Sequence, residues 1–110
     1  MNDDDLEALM ALEMKKLQDH FLSELPGRKA ALERCWQAVQ GGGPLEELRQ
    51  QVHSLRGTGS TLGFVMLGEV ASPLEQALKD EGEVDRTTLT SLYQNLLTEL
   101  ESPETPKLLV

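Results

Sequence analysis

Apolar side chains return every three or four positions along most of the 110 residues, and nowhere do they alternate singly as in a half-buried strand. That period places them on one stripe of a helix, so the chain is constrained to helices that bury their stripes on one another. Glycines and prolines between the stripes then set the helix count. The first stripe runs Leu6, Leu9, Met10, Leu17, Phe21 and Leu25, with Asp3 to Asp5 at the end where a helix is positive. Pro26 lacks a backbone donor and restricts Leu25 before it. It predicts that the first helix ends or bends there, and that a second, over about 26–40, buries Leu32, Cys35, Trp36 and Val39.

Gly41, Gly42, Gly43 and Pro44 form the clearest break, followed by a third helix over about 44–58 with Leu45, Leu48, Val52 and Leu55 in its seam. His53 falls one step off that seam, on a flank open to solvent. Gly57, Gly59 and Gly63 interrupt the pattern, and Ser60 or Thr61 is placed to cap a fourth helix over about 61–80. The fourth stripe uses Leu67 or Val70, then Ala71, Leu74 and Leu78, and Pro73 within it predicts a kink or local break near 69–73. A polar turn at Asp80 to Glu83 precedes a fifth helix, capped by Asp85, with Leu89, Leu92, Tyr93, Leu96 and Leu100 in its stripe.

Five helical segments joined by short loops predict an all-α fold, an antiparallel up-down four-helix bundle with an additional N-terminal covering helix. The expected division is an acidic tail over 1–5, the domain over 6–101 and a C-terminal tail over 102–110. Only four aromatic residues are present, so Leu, Ala, Val and Met must fill the core. A net charge of −9 argues against nucleic acid and anionic membrane surfaces as partners. No apolar run is long enough to span a bilayer and the N-terminus is acidic, which predicts a cytoplasmic protein. The single cysteine, Cys35, shares a helical stripe and is expected to be buried, and His20 is expected on a helix surface.

The chemistry is signalled by a charge anomaly. Between Leu48 and Gly68 there is no acidic residue, although acids outnumber bases by 19 to 10 overall, and the only charges there are Arg49 and Arg56. Residues three and four apart share a helix face, so Arg49, Arg56 and Gly57 all neighbour His53, and Gly57 offers no side chain to obstruct an incoming group. An imidazole is uncharged and nucleophilic in good part at neutral pH. A phosphoryl group on it would add about one and a half to two negative charges, which nearby arginines would stabilise. No cluster with metal-ligand spacing surrounds either histidine, and no nucleotide-binding loop or nucleophile-base-acid arrangement is visible.

The segment from His53 to Leu67, HSLRGTGSTLGFVML, resembles the histidine phosphotransfer (HPt) motif, including that of chemotaxis histidine kinases. In that family the histidine is followed by lysine at the third position, glycine at the fourth and tenth, and a Leu-Glu pair near the end of the next helix. Here Arg56 stands in place of the lysine, the glycines are Gly57 and Gly63, and the pair is Leu74 and Glu75, with Pro73 just before it. The likeness extends upstream through Phe21 to Leu32 and covers roughly residues 6–100.

The resemblance implies a phosphocarrier without cofactor, metal or enzymatic activity of its own. His53 would be phosphorylated on Nε2 by a receiver domain or a hybrid histidine kinase and would pass the group to a response-regulator aspartate. Arg56 and Arg49 would support the phosphoryl group, Gly57 would allow close approach, and Glu75 would bind the ring Nδ1. Gln50, Ser60 and Phe64 are assigned to partner docking. Two other readings stand beside this one: a phosphorylation-independent adaptor that sequesters a receiver or kinase domain, and an isolated module of a chemotaxis-type kinase. A monomer is expected, although the first helix could cover its own bundle or pair with another copy.

Overall fold

A computed structural model describes residues 2–80 and 84–106; most of the turn expected at Asp80 to Glu83, and the last four residues, lie outside them. Among the described residues there are four helices and no strand: α1 (Asp3–Gln40), α2 (Glu46–Thr61), α3 (Val65–Lys79) and α4 (Arg86–Glu101). Helix α2 packs on α3, α3 on α4, and α1 on both α2 and α4, which closes a ring around one core. That core is built from Phe21, Leu25 and Leu32 of α1, Leu48, Val52 and Leu55 of α2, Leu67, Ala71 and Leu74 of α3, and Tyr93, Leu96 and Leu100 of α4. Trp36 stacks on Tyr93 at 4.1 Å between ring centroids, and burial pushes the Tyr93 hydroxyl up to about 12. Cys35 is buried in the same layer.

The first correction concerns Pro26, which ends no helix: α1 is continuous for 38 residues. Pro26 is exposed, so the carbonyl it leaves without a partner lies toward the solvent side, while Phe21, Leu25, Leu32, Cys35 and Val39 keep one buried stripe across it. A break would pull half of that stripe from the core. Asp3 to Asp5 are accordingly the first turn of α1, capped by Asn2, whose Oδ1 accepts from the Asp5 amide at 2.8 Å. At 1.5 Å per residue α1 spans ~57 Å, which matches the longest dimension of the molecule, 57 Å. The other helices are less than half as long, so the start of α1 runs past the bundle. The expected covering helix is this overhang, and Leu6, Leu9, Met10 and Leu17, expected in a buried stripe, are exposed.

Pro73 likewise leaves α3 unbroken, and it too is on the exposed face. Ser60 and Thr61 cap nothing, because α2 runs through both; α3 starts after Phe64 without a side-chain cap. Helix α2 ends instead in a left-handed glycine, Gly63, at φ +89°. The Phe64 amide donates to the Gly59 carbonyl at 2.8 Å and the Gly63 amide to Ser60 at 3.2 Å, the paired closure of a Schellman motif. The same closure ends α1 at Gly42, φ +92°. Asp85 caps α4 as expected, accepting from the Thr88 amide at 2.7 Å.

Candidate functional site

Helix α2 carries His53 on the flank predicted by its spacing: Val52 and Leu55 are buried, and the His53 side chain is 59% exposed. Helix α3 brings Glu75 to it from the other side. The Glu75 side chain is only 5% exposed, and its Oε1 lies 2.6 Å from His53 Nδ1. Arg56 reaches the same carboxylate, donating from Nε to Oε2, and its side chain is 35% exposed. Pro73 therefore does not displace Glu75, since the helix stays intact through it. Burial by itself pushes the Glu75 carboxyl up, but hydrogen bonds from His53 and Arg56, and their charges, more than offset it and hold the group below the ordinary carboxylate range.

An ionised carboxylate only accepts, so Nδ1 of His53 must be the donor and must carry the proton. Nε2 then keeps its lone pair and is the free nitrogen of the neutral ring. Arg56 Nη2 lies 3.4 Å from Nδ1, a contact between two donors and not a hydrogen bond. Acid should loosen this corner in a definite direction. A carboxylate with a depressed folded pKa contributes stability that is complete above its unfolded value, ~4.3, and that is lost as pH falls through the lower folded value. Stability measured by urea denaturation below pH ~4.3 is expected to fall more steeply for the parent chain than for Glu75→Gln, and identical pH slopes would contradict the assignment.

Arg49, expected beside His53, is paired with Glu46 one turn earlier, at 2.5 Å. Gln50 is exposed and donates to the same Glu46 at 3.3 Å. Ser60 is exposed at the crossing of α2 and α3, where a Cβ placed on Gly68 would come within 2.5 Å of its hydroxyl. Phe64 is the plain correction: it is 1% exposed and packs against Phe21 with ring centroids 5.2 Å apart, so its side chain offers no docking surface. The Schellman closure, in which its amide meets the Gly59 carbonyl, folds it inward. A Cβ on Gly57 would meet nothing within 4 Å, so its neighbourhood is open as expected; one on Gly59 would come within 2.8 Å of Leu67. Gly59, read only as an interruption, is what lets α2 and α3 approach.

Several neighbours were not visible in the sequence. Lys79, one turn after Glu75, places its Nζ 3.6 Å from Glu75 Oε1 and joins Arg56 as a second cation beside the buried acid. Helix α1 lays Leu17, His20, Phe21 and Glu24 alongside His53, Ser54 and Gly57, forming an open groove of about 450 Å³. Arg28 ties α1 to α2 nearby, donating to Ser54 Oγ at 3.3 Å with its guanidinium 5.4 Å over the Phe21 ring. His20 is a surface residue, as read, but on the wall of this groove. Because the first helix is expected from sequence to end or bend at Pro26, residues 17 to 28 were not legible there as one face.

Among the described residues no group of three or more His, Cys, Asp or Glu could hold a metal ion, and no helix is long and apolar enough to cross a membrane. The arrangement presents one oriented imidazole nitrogen, backed by a buried acid and cations, beside an apolar groove. No curated relative and no solved structure matches the chain. The profile of the Hpt domain matches residues 16–103, most of the chain and all of the elements that build this corner. An all-helical chain with that match, the family of histidine phosphotransfer in two-component phosphorelays, belongs to the Hpt domain family.

Proposed function

We propose that this protein carries a phosphoryl group on Nε2 of His53 between a receiver or hybrid histidine kinase and the aspartate of a response-regulator receiver domain. The observation that carries this reading is the 2.6 Å contact between His53 Nδ1 and the buried Glu75, which leaves Nε2 as the exposed nucleophile. In the first step the Nε2 lone pair attacks phosphorus, the bond to the donor aspartate breaks, and that aspartate leaves as a carboxylate. The ring becomes a phosphoimidazolium whose Nδ1 proton stays hydrogen-bonded to Glu75. In the second step the acceptor carboxylate attacks phosphorus and His53 leaves as neutral imidazole. Neither step requires a proton to enter or leave the ring, so the carrier needs no general acid or base of its own. Arg56, held on Glu75 beside the ring, supplies positive charge for the transferred oxygens, and the metal that receivers use is supplied by the partner.

Within this reading the helices are an antiparallel up-down bundle, and the groove between α1 and α2 receives the partner beside His53. Incubation with an aspartyl-phosphorylated receiver is expected to move label to the chain in an acid-labile, base-stable form. Fragmentation should map it to His53; label on His20 or on a carboxylate would refute the assignment. Gly57 gives a second test that separates fold from docking. Gly57→Ala should raise stability by up to ~1 kcal/mol, because it removes a flexible residue from a helix interior without a clash. It should nonetheless slow transfer about tenfold, a cost of ~1.4 kcal/mol placed on the face the partner must approach. Thermal melts and a transfer time course check the two effects separately.

A further inference from the structure

No apolar residue of α1 before Met14 joins the core, and at the edge of this stretch Leu12 and Lys15 lie beside Thr105 and Pro106. Leu6, Leu9, Met10 and Leu12 are each about half exposed, from 46% to 52%, whereas among the described residues the large apolar side chains from Phe21 onward are buried or only partly exposed. Leu17, also exposed, belongs to the His53 groove. A helix of this length standing free in water is marginal, so covering its apolar side would be favourable. On the side turned away from Phe21 and Leu25, Asp5, Ala8, Leu9 and Leu12 surround a shallow depression. Their spacing is i, i+3, i+4 and i+7, which is the four-residue hole that receives one knob from a facing helix.

The charges specify which helix. Asp3, Asp4, Asp5 and Glu7 lie at one end of the overhang, and Lys15 and Lys16, with Glu13 before them, at the other. We infer that residues 3–16 pair antiparallel with the same segment of a second copy of this chain, Leu12 of each copy seated in the hole of the other. That register sets Lys15 and Lys16 of one copy against Asp4 and Asp5 of its partner, and twofold symmetry makes the contact twice. A parallel pairing would set acid on acid and base on base. Within one chain Lys15 meets Asp19 at 3.1 Å and Lys16 meets Glu13 at 3.2 Å, but all four side chains are at least 60% exposed, so these pairs are weak and free to exchange. The paired segment stops short of Leu17, and the groove beside His53 stays clear in both copies. The interface is small, which makes the dimer reversible with concentration. The inference does not depend on phosphotransfer.

Sedimentation of the full chain from micromolar to millimolar concentration is expected to pass from monomer to dimer mass. Leu12→Glu should weaken association about 100-fold or more, since the knob is lost twice. D4K/D5K and K15E/K16E chains should each be monomeric, because like charges then face each other. Mixed one to one, they should recover the dimer, and that recovery shows that both variants are folded. A parent chain that is monomeric throughout overturns the proposal, including one that dimerises only after residues 107–110 are removed, which would assign the patch to the chain's own end. A dimer indifferent to Leu12→Glu, or swapped chains that fail to recover together, overturns it equally.

Discussion

A chain carrying His53→Gln is expected to accept no acid-labile phosphoryl group while keeping its fold. His53 is mostly exposed and its partners are Glu75 and the edge of Arg56, so little packing is lost, and the glutamine amide can donate to Glu75 in its place. What disappears is the only ring nitrogen presented to solvent with its partner nitrogen locked. Retention of label would move the reading to another residue, and retention of signalling without label would favour an adaptor that binds receivers regardless of phosphorylation. Glu75→Gln makes the informative companion. Its neutral amide fixes the imidazole tautomer less strongly, so transfer should slow by roughly 10- to 100-fold, as for oriented histidines of metal sites that lose their outer partner. Label should still reach His53, which distinguishes a positioning role from a nucleophilic one. Time courses at equal receiver concentration resolve the two.

Phe64→Ala is expected to cost about 3–5 kcal/mol of stability, a large part of the ~5–15 kcal/mol a domain of this kind holds. The ring is almost wholly enclosed, it meets Phe21 across the α1 interface, and its amide closes the end of α2. Removing it opens a cavity where three helices meet. Urea denaturation should report the loss directly, with Ser60→Ala as an exposed control expected within about 0.5 kcal/mol of the parent. If Phe64 were a docking residue, the order would reverse: stability would hold and receiver binding would fall. The two outcomes do not overlap.

Both misjudged prolines teach the same point about local rules. A proline inside a helix removes one hydrogen bond and crowds the preceding turn, which on its own favours a break. At Pro26 and Pro73 the disturbed turn lies on the outer face, where water can meet the freed carbonyl, while the opposite face holds a continuous buried stripe. Burial of Phe21, Leu25 and Leu32 on one side, and of Ala71, Leu74 and Leu78 on the other, outweighs the local penalty. Which face a proline occupies is settled by packing.

What the sequence by itself determined is the class of fold and the candidate for the reactive side chain, His53. The 3.6-residue period leaves only helices, the spacing of Leu48, Val52 and Leu55 puts His53 on the open flank, and the acid-free window around Arg56 and Gly57 marks the chemistry. These are properties of one helix and are readable along it. Only the tertiary structure decided that Glu75 meets Nδ1 of His53, that Lys79 and Arg28 join the site, and that Phe64 faces inward. It also decided that α1 is a single long helix whose beginning stands clear of its bundle. Contacts of this kind join positions far apart in the chain, and they depend on how helices rotate against one another to bury their stripes. That rotation is set by the summed packing of the whole core, which no local pattern encodes.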